Sequence, residues 1–155
     1  MAAILAEHVR FTLGRHLKRV CADGPPAVRS GRAEELHALR VALKRLRYNV
    51  EFFRCLLGDE AEGALKLLAL GQERLGTIAD DDTFSRYYAG LLDEIEPDDP
   101  RRSGIEARLR AVENDREREA QTLRALWNGG EDKPYRERLA DCISAALGSL
   151  SKDDS

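Results

Sequence analysis

The run from Leu36 to Leu57 constrains the fold more than any other part of this chain. Leu36, Leu39, Leu43, Leu46, Val50, Phe53 and Leu57 recur at alternating steps of three and four residues. That spacing lines up one face of an α-helix and no face of a strand. SGRAEE (30–35) precedes the run and Gly58 follows it as a C-terminal cap, so a helix is expected from near Glu34 to Leu57. A helix with so continuous an apolar stripe must bury it against neighbours. The rest of the chain offers more of the same: leucine returns at helical intervals, and few β-branched residues leave little material for a sheet.

Five further helices are expected. The first runs from about Ala2 to Cys21 and ends before DGPP, where paired prolines remove two backbone donors. A third covers about Glu60 to Ile78. Asp80, Asp81 and Asp82 follow, as caps for a fourth helix carrying Phe84, Tyr87, Tyr88, Leu91, Leu92 and Ile95. EPDDP (96–100) breaks the chain before a fifth helix, about Arg102 to Trp127, with Ile105, Leu109, Val112, Leu123 and Leu126 on its apolar side. Its polar middle, ENDREREAQ (113–121), is expected to overhang into solvent. Pro134 closes the loop NGGEDKP and suits the first turn of a sixth helix with Leu139, Ile143 and Leu147, after which SKDDS frays. The expected fold is all-α: one antiparallel bundle of about six helices over residues 1–150, with 151–155 as a tail.

Composition narrows the class. At 155 residues the chain can bury one real core. No apolar run approaches the ~20 residues that span a bilayer, and MAAILAEHVRF lacks the pattern of a signal peptide. Cys21, Cys55 and Cys142 are odd in number and far apart, which suggests reduced, buried thiols in a cytoplasmic protein. No Cys/His spacing suggests a zinc site. The net charge of −3 conceals a division: residues 1–58 carry 11 Lys/Arg against 5 Asp/Glu, and residues 59–155 carry 14 against 23. An anion-binding surface therefore belongs on the first two helices.

On a wheel at about 100° per residue, His37, Arg40, Lys44 and Arg47 form a second stripe beside the leucines. It continues as Tyr48, Glu51, Phe52 and Cys55, with Val41 and Tyr48 bordering it on the far side. The expectation is a partly enclosed basic strip. Four like charges on one stripe repel by a few tenths of a kcal/mol for each i,i+4 pair. Glu51, Asp80, Asp81 and Asp82 are possible protein partners, and phosphate is an external one, since the guanidinium fork matches two of its oxygens. On the first helix His8, Arg15 and Arg19 share a face with Thr12, expected to form the opposite wall of one groove with the strip. His8 and His37 could each donate to a phosphate oxygen. The alternative is a solvated or internally paired face, with long basic side chains lying over apolar surface.

The segment Leu36-His37-Ala38-Leu39-Arg40-Val41-Ala42-Leu43-Lys44-Arg45-Leu46-Arg47-Tyr48 resembles the signature helix of the CHAD family, the conserved histidine α-helical domain, and Phe52-Phe53 and Leu56-Leu57-Gly58 continue the match. Gln72, Leu75, Gly76 and Asp80 are similar to a second family segment, in which Ala79 stands where Asn is usual. The likeness extends over roughly residues 2–95. It implies an all-helical fold that binds inorganic polyphosphate through a basic channel; the electrostatic mechanism requires no cofactor or metal, though Mg²⁺ could accompany the ligand. His37, Arg40, Lys44 and Arg47 are the phosphate contacts it implies, with Arg45 off the stripe. His8, Arg15 and Arg19, placed by the wheel, and Lys66 on the third helix rank behind them. A full CHAD domain has two related halves, each with a basic helix. This chain resembles one half, which a homodimer would complete; a single half with an open, more weakly binding groove is the alternative. Polyphosphate granules are the implied cellular context.

Three other functions stay open on the residues. A nucleic-acid-binding module is disfavoured, because aromatics for base stacking do not accompany the charges beyond Tyr48. A phosphohydrolase using Asp80, Asp81 and Asp82 as metal ligands lacks a visible nucleophile–base pair or P-loop. A degenerate half-domain kept as a scaffold would have its stripe paired internally.

Overall fold

Apolar periodicity of 3.6 becomes helix along nearly the whole chain. The computed structural model describes residues 2–150, among which there is no strand. Five long helices, α1 (Ala2–Ser30), α2 (Ala33–Phe52), α4 (Ala61–Glu94), α5 (Arg102–Asn128) and α6 (Tyr135–Ser149), are joined by a single-turn α3 (Arg54–Leu57) and a 3-10 turn, Gly58–Glu60. The SKDDS tail lies outside the described residues.

The apolar face of α2 is the spine of the bundle. All seven residues of the stripe, five on α2 with Phe53 and Leu57 just beyond it, are buried, none more than 5% exposed. One flank of α2 packs on α1 and the other on α4, while α5 lies along α4 and α6 closes over α1, α4 and the 3-10 turn. His8 meets Phe53 edge to face, Arg47 reaches Gln72, and Arg74 reaches Glu119. Each of these helix pairs is therefore antiparallel. Tyr135 plugs the base of the bundle, with its hydroxyl donating to the Leu67 carbonyl at 2.6 Å. Gly71 makes the space for that hydroxyl, since a Cβ there would lie 2.7 Å from it.

Four expectations are corrected. First, α1 does not stop before DGPP; it continues through Pro25 and Pro26 to Ser30. Internal prolines cost a helix about 3 kcal/mol or more. Tertiary burial offsets that: Ala27 and Val28 beyond the prolines are buried, and Gly24 before them packs on Trp127 of α5. Second, Asp80, Asp81 and Asp82 cap nothing, because the third and fourth expected helices are one helix, α4. Aspartate is a mediocre helix former but no breaker, and Asp82 has a reason to stay in register: its carboxylate accepts from Arg116 Nε at 2.6 Å.

Third, the polar middle of α5 is not an overhang. Arg116 also donates to the Gly31 carbonyl at 2.7 Å, Glu119 pairs with Arg74 at 3.3 Å, and Ala120 is buried. What leaves the core is the far end of the α4–α5 hairpin, where no residue from 79 to 111 is buried. Fourth, the thiols are not all buried: Cys21 and Cys142 are partly so, but Cys55 is exposed. Helix α2 itself breaks at Phe53, and Gly58 then takes a φ of 64°, a conformation that favours glycine, as the chain turns into α4.

Candidate functional site

The nine candidate residues fall into separate groups once the helices are packed. His37, Arg40 and Lys44 lie exposed on the outer face of α2. The strip is thus open to solvent, not enclosed as the sequence suggested, because α1 and α4 cover only the leucine face and its two shoulders. Arg47 is the partly buried member. Its Nε donates to Glu51 Oε1 at 2.9 Å and its Nη1 to Gln72 Oε1 at 3.1 Å. Of the acids considered as partners, Glu51 neutralises Arg47, and Asp82 is taken by Arg116. Among the described residues no acid pairs with Arg40 or Lys44; the Lys44 ammonium instead sits 5.5 Å from the centre of the Tyr48 ring, a cation–π contact.

Beneath His37 and Arg40 is a dimple of about 30 Å³ lined by Ala33, Leu36, Leu75 and Ala79. That is roughly the share of one water molecule. Leu75 and Ala79 belong to the second sequence segment singled out above, so this segment and the basic stripe do meet in space. Gln72 and Arg47 are the other point of contact.

His8, Arg15 and Arg19 do not face the strip. Arg15 and Arg19 look into a groove between α1 and α2, of about 600 Å³, whose opposite wall is Arg45. Arg45 is one residue past Lys44, about 100° away around the helix, and this rotation carries it from the outer face to the α1 side. His16 and Lys18 line the same groove and were missed by sequence reasoning. The signal for His16 was its place on the wheel beside the buried Val9, Leu13 and Val20. Its burial, and then the charges of Arg15 and Arg45, hold its pKa below the usual histidine value. His8 is exposed and packs on Phe53. Lys66 is exposed on α4, and no hydrogen bond or ion pair among the described residues joins it to the strip.

Elsewhere, Asp81 lies against Asp115 and Glu119 of α5; burial and then those like charges raise its pKa. Among the described residues no group of three or more His, Cys, Asp or Glu is arranged to hold a metal ion, and no helix is long and apolar enough to cross a membrane.

No curated protein and no solved structure matches the chain significantly. A family model does: the model described as CHAD domain matches residues 2–89, more than half of the 155. The matched span takes in α1, the whole basic strip and the α4 segment from Gln72 to Asp80 that meets it. With an all-helical fold built around that pairing, this chain belongs to the CHAD domain family.

Proposed function

We propose that this chain is a non-catalytic module that binds inorganic polyphosphate along the outer face of α2. One observation carries the reading. Arg40 and Lys44, with His37 on the same face, are aligned cations without acidic partners among the described residues, although the chain as a whole is acidic. A protein with 28 carboxylates could have neutralised them internally, as it does Arg47 and Arg116. A polyphosphate chain laid along α2 would offset the repulsion, with Arg40 as a two-pronged donor and Lys44 as a point charge. Binding would release condensed counterions and weaken steeply with salt. The reading requires neither a metal nor a nucleophile.

A single basic helix grips a polymer from one side. A homodimer would bring a second strip to the same ligand. Ile4 and Leu5 on α1 and Phe52 on α2 expose apolar side chains at one end of the α1–α2 pair, where His8 and Phe53 touch, and they support a contact between copies there. The cytoplasm, and polyphosphate granules within it, is the proposed setting.

A second reading gains from one feature of the strip. Tyr48 and Phe52 are 55% and 76% exposed beside the cations, as stacking platforms for single-stranded nucleic acid would be. One titration separates the two. Long-chain polyphosphate, with single-stranded DNA as competitor, is added at several salt concentrations to wild type and to Arg40→Ala/Lys44→Ala, with mass measured by light scattering. Tight, salt-sensitive polyphosphate binding that DNA fails to displace, lost in the double variant, supports the first reading. Displacement by DNA at equal phosphate concentration supports the second. No binding by folded protein at low salt overturns both.

A further inference from the structure

We propose that the groove between α1 and α2 is a second anion site, separate from the α2 strip, for a compact ligand carrying a short run of phosphates. The proposal does not rest on the strip binding anything.

The groove gathers Arg15, Lys18 and Arg19 from α1 and Arg45 from α2, with His16 among them. Among the described residues the acid in its wall is Asp23, and that carboxylate already accepts from Arg19 Nε at 2.9 Å. Arg15, Lys18 and Arg45 therefore share a concavity with no acid paired to any of them among the described residues. His16 registers the imbalance. Apart from its burial, what disfavours its protonated form is the charge of Arg15 and Arg45. Cations held this close without partners are a standing cost that a multivalent anion would remove.

Shape sets the ligand class. On the strip the charges are strung along one line of a helix, which suits a polymer. In the groove, four cations converge on one volume of about 600 Å³, within the range of small-molecule sites. The floor is apolar, made by Ala22, Ala38, Val41 and Ala42. Small side chains let the ligand sit low, so that cations on both walls reach its phosphates. Two sources share this chemistry: a free oligophosphate, or the phosphate tail of a nucleotide whose organic body rests on the alanines.

Tripolyphosphate and ATP, each in chelator and low salt, are the probes, read by calorimetry and by the His16 imidazole resonance. Tripolyphosphate binding at the tighter site should weaken at least tenfold in Arg15→Ala/Arg45→Ala, whereas Arg40→Ala/Lys44→Ala should remove only the separate contribution of the strip; helicity should be unchanged in both, because all four side chains are exposed. The His16 resonance should move toward the protonated form on saturation. Equal affinity for the two probes assigns the groove to phosphates alone; tighter ATP binding assigns part of it to the organic body. Equal weakening by the two double variants, an unmoved His16 resonance in saturated protein, or no binding at all overturns the proposal. Failure of the strip reading would instead leave long-chain polyphosphate indifferent to Arg40→Ala/Lys44→Ala, while the tripolyphosphate result stood.

Discussion

Gly24 lies directly against the indole of Trp127, so close that a methyl group on it would fall inside the ring's van der Waals envelope. This contact joins the end of α5 to α1 immediately before Pro25 and Pro26, and it accounts for a helix that runs on through two prolines. Gly24→Ala should destabilise the protein by about 2–3 kcal/mol, the usual cost of overpacking a tight site. For a chain of this size that is a fall of roughly 4–12 °C in Tm, read by circular dichroism at 222 nm. Gly76, also helical, has nothing within 4 Å of the same position, and Gly76→Ala should stabilise by about 0.5–1 kcal/mol through helix propensity. If both substitutions shifted Tm in the same direction, the indole would not be seated on α1.

Arg116 ties three elements together, with Asp82 on α4 and the Gly31 carbonyl between α1 and α2 as its acceptors. Both charged side chains are about a quarter exposed (24% and 23%), so solvent screens the pair only in part. Arg116→Ala should cost about 1.5–3 kcal/mol in urea unfolding, because it leaves a carboxylate and a carbonyl without their donor. Asp82→Ala should cost less, and the double variant should show coupling. Strict additivity would mean the bridge contributes nothing.

These two contacts also explain what the sequence could and could not reveal. The leucine stripe of α2 was legible to the last residue, because its periodicity is local and its burial follows from it. Pro25-Pro26 and Asp80-Asp81-Asp82 read as stops by equally local rules. What overrules them, Trp127 and Arg116, lies on α5, and no window of sequence pairs α5 with α1 or α4. The site divides the same way. The alignment of His37, Arg40 and Lys44 needs only a wheel. That Arg45 turns toward Arg15 and His16 depends on which flank of α2 receives α1, a matter of packing alone.

Asp81 is a place where the fold is strained by charge. Its Oδ2 atom is buried without a hydrogen-bond partner among the described residues, and burial, Asp115, Glu119, Asp80 and Asp82 all raise its pKa above 3.8. Between 3.8 and the raised native value the folded state holds the extra proton, so stability falls as pH rises through that window. Above it the cost is fully present. Asp81→Asn should therefore raise Tm at pH 7 and give no gain below pH 3.8, where both states carry the protonated acid. An equal gain at both pH values would point to packing instead of charge.

His16 should show the opposite slope. Its native pKa is depressed below 6.5 by burial, Arg15 and Arg45, so in acid the unfolded chain takes up the proton first. The contribution of His16 to stability is complete above 6.5 and is lost as pH falls through the lowered native value. An NMR titration of the imidazole should give a midpoint below 6.5 in the free protein. His16→Gln, which cannot be protonated, should flatten the acid limb of the Tm profile between pH 6.5 and that midpoint. A polyvalent anion in the groove reverses the local potential, so the same titration in saturating tripolyphosphate should move the midpoint upward and make binding tighter at pH 6 than at pH 8. By linkage the two observations are one quantity. A midpoint that does not move in saturated protein would place the anion somewhere other than beside His16.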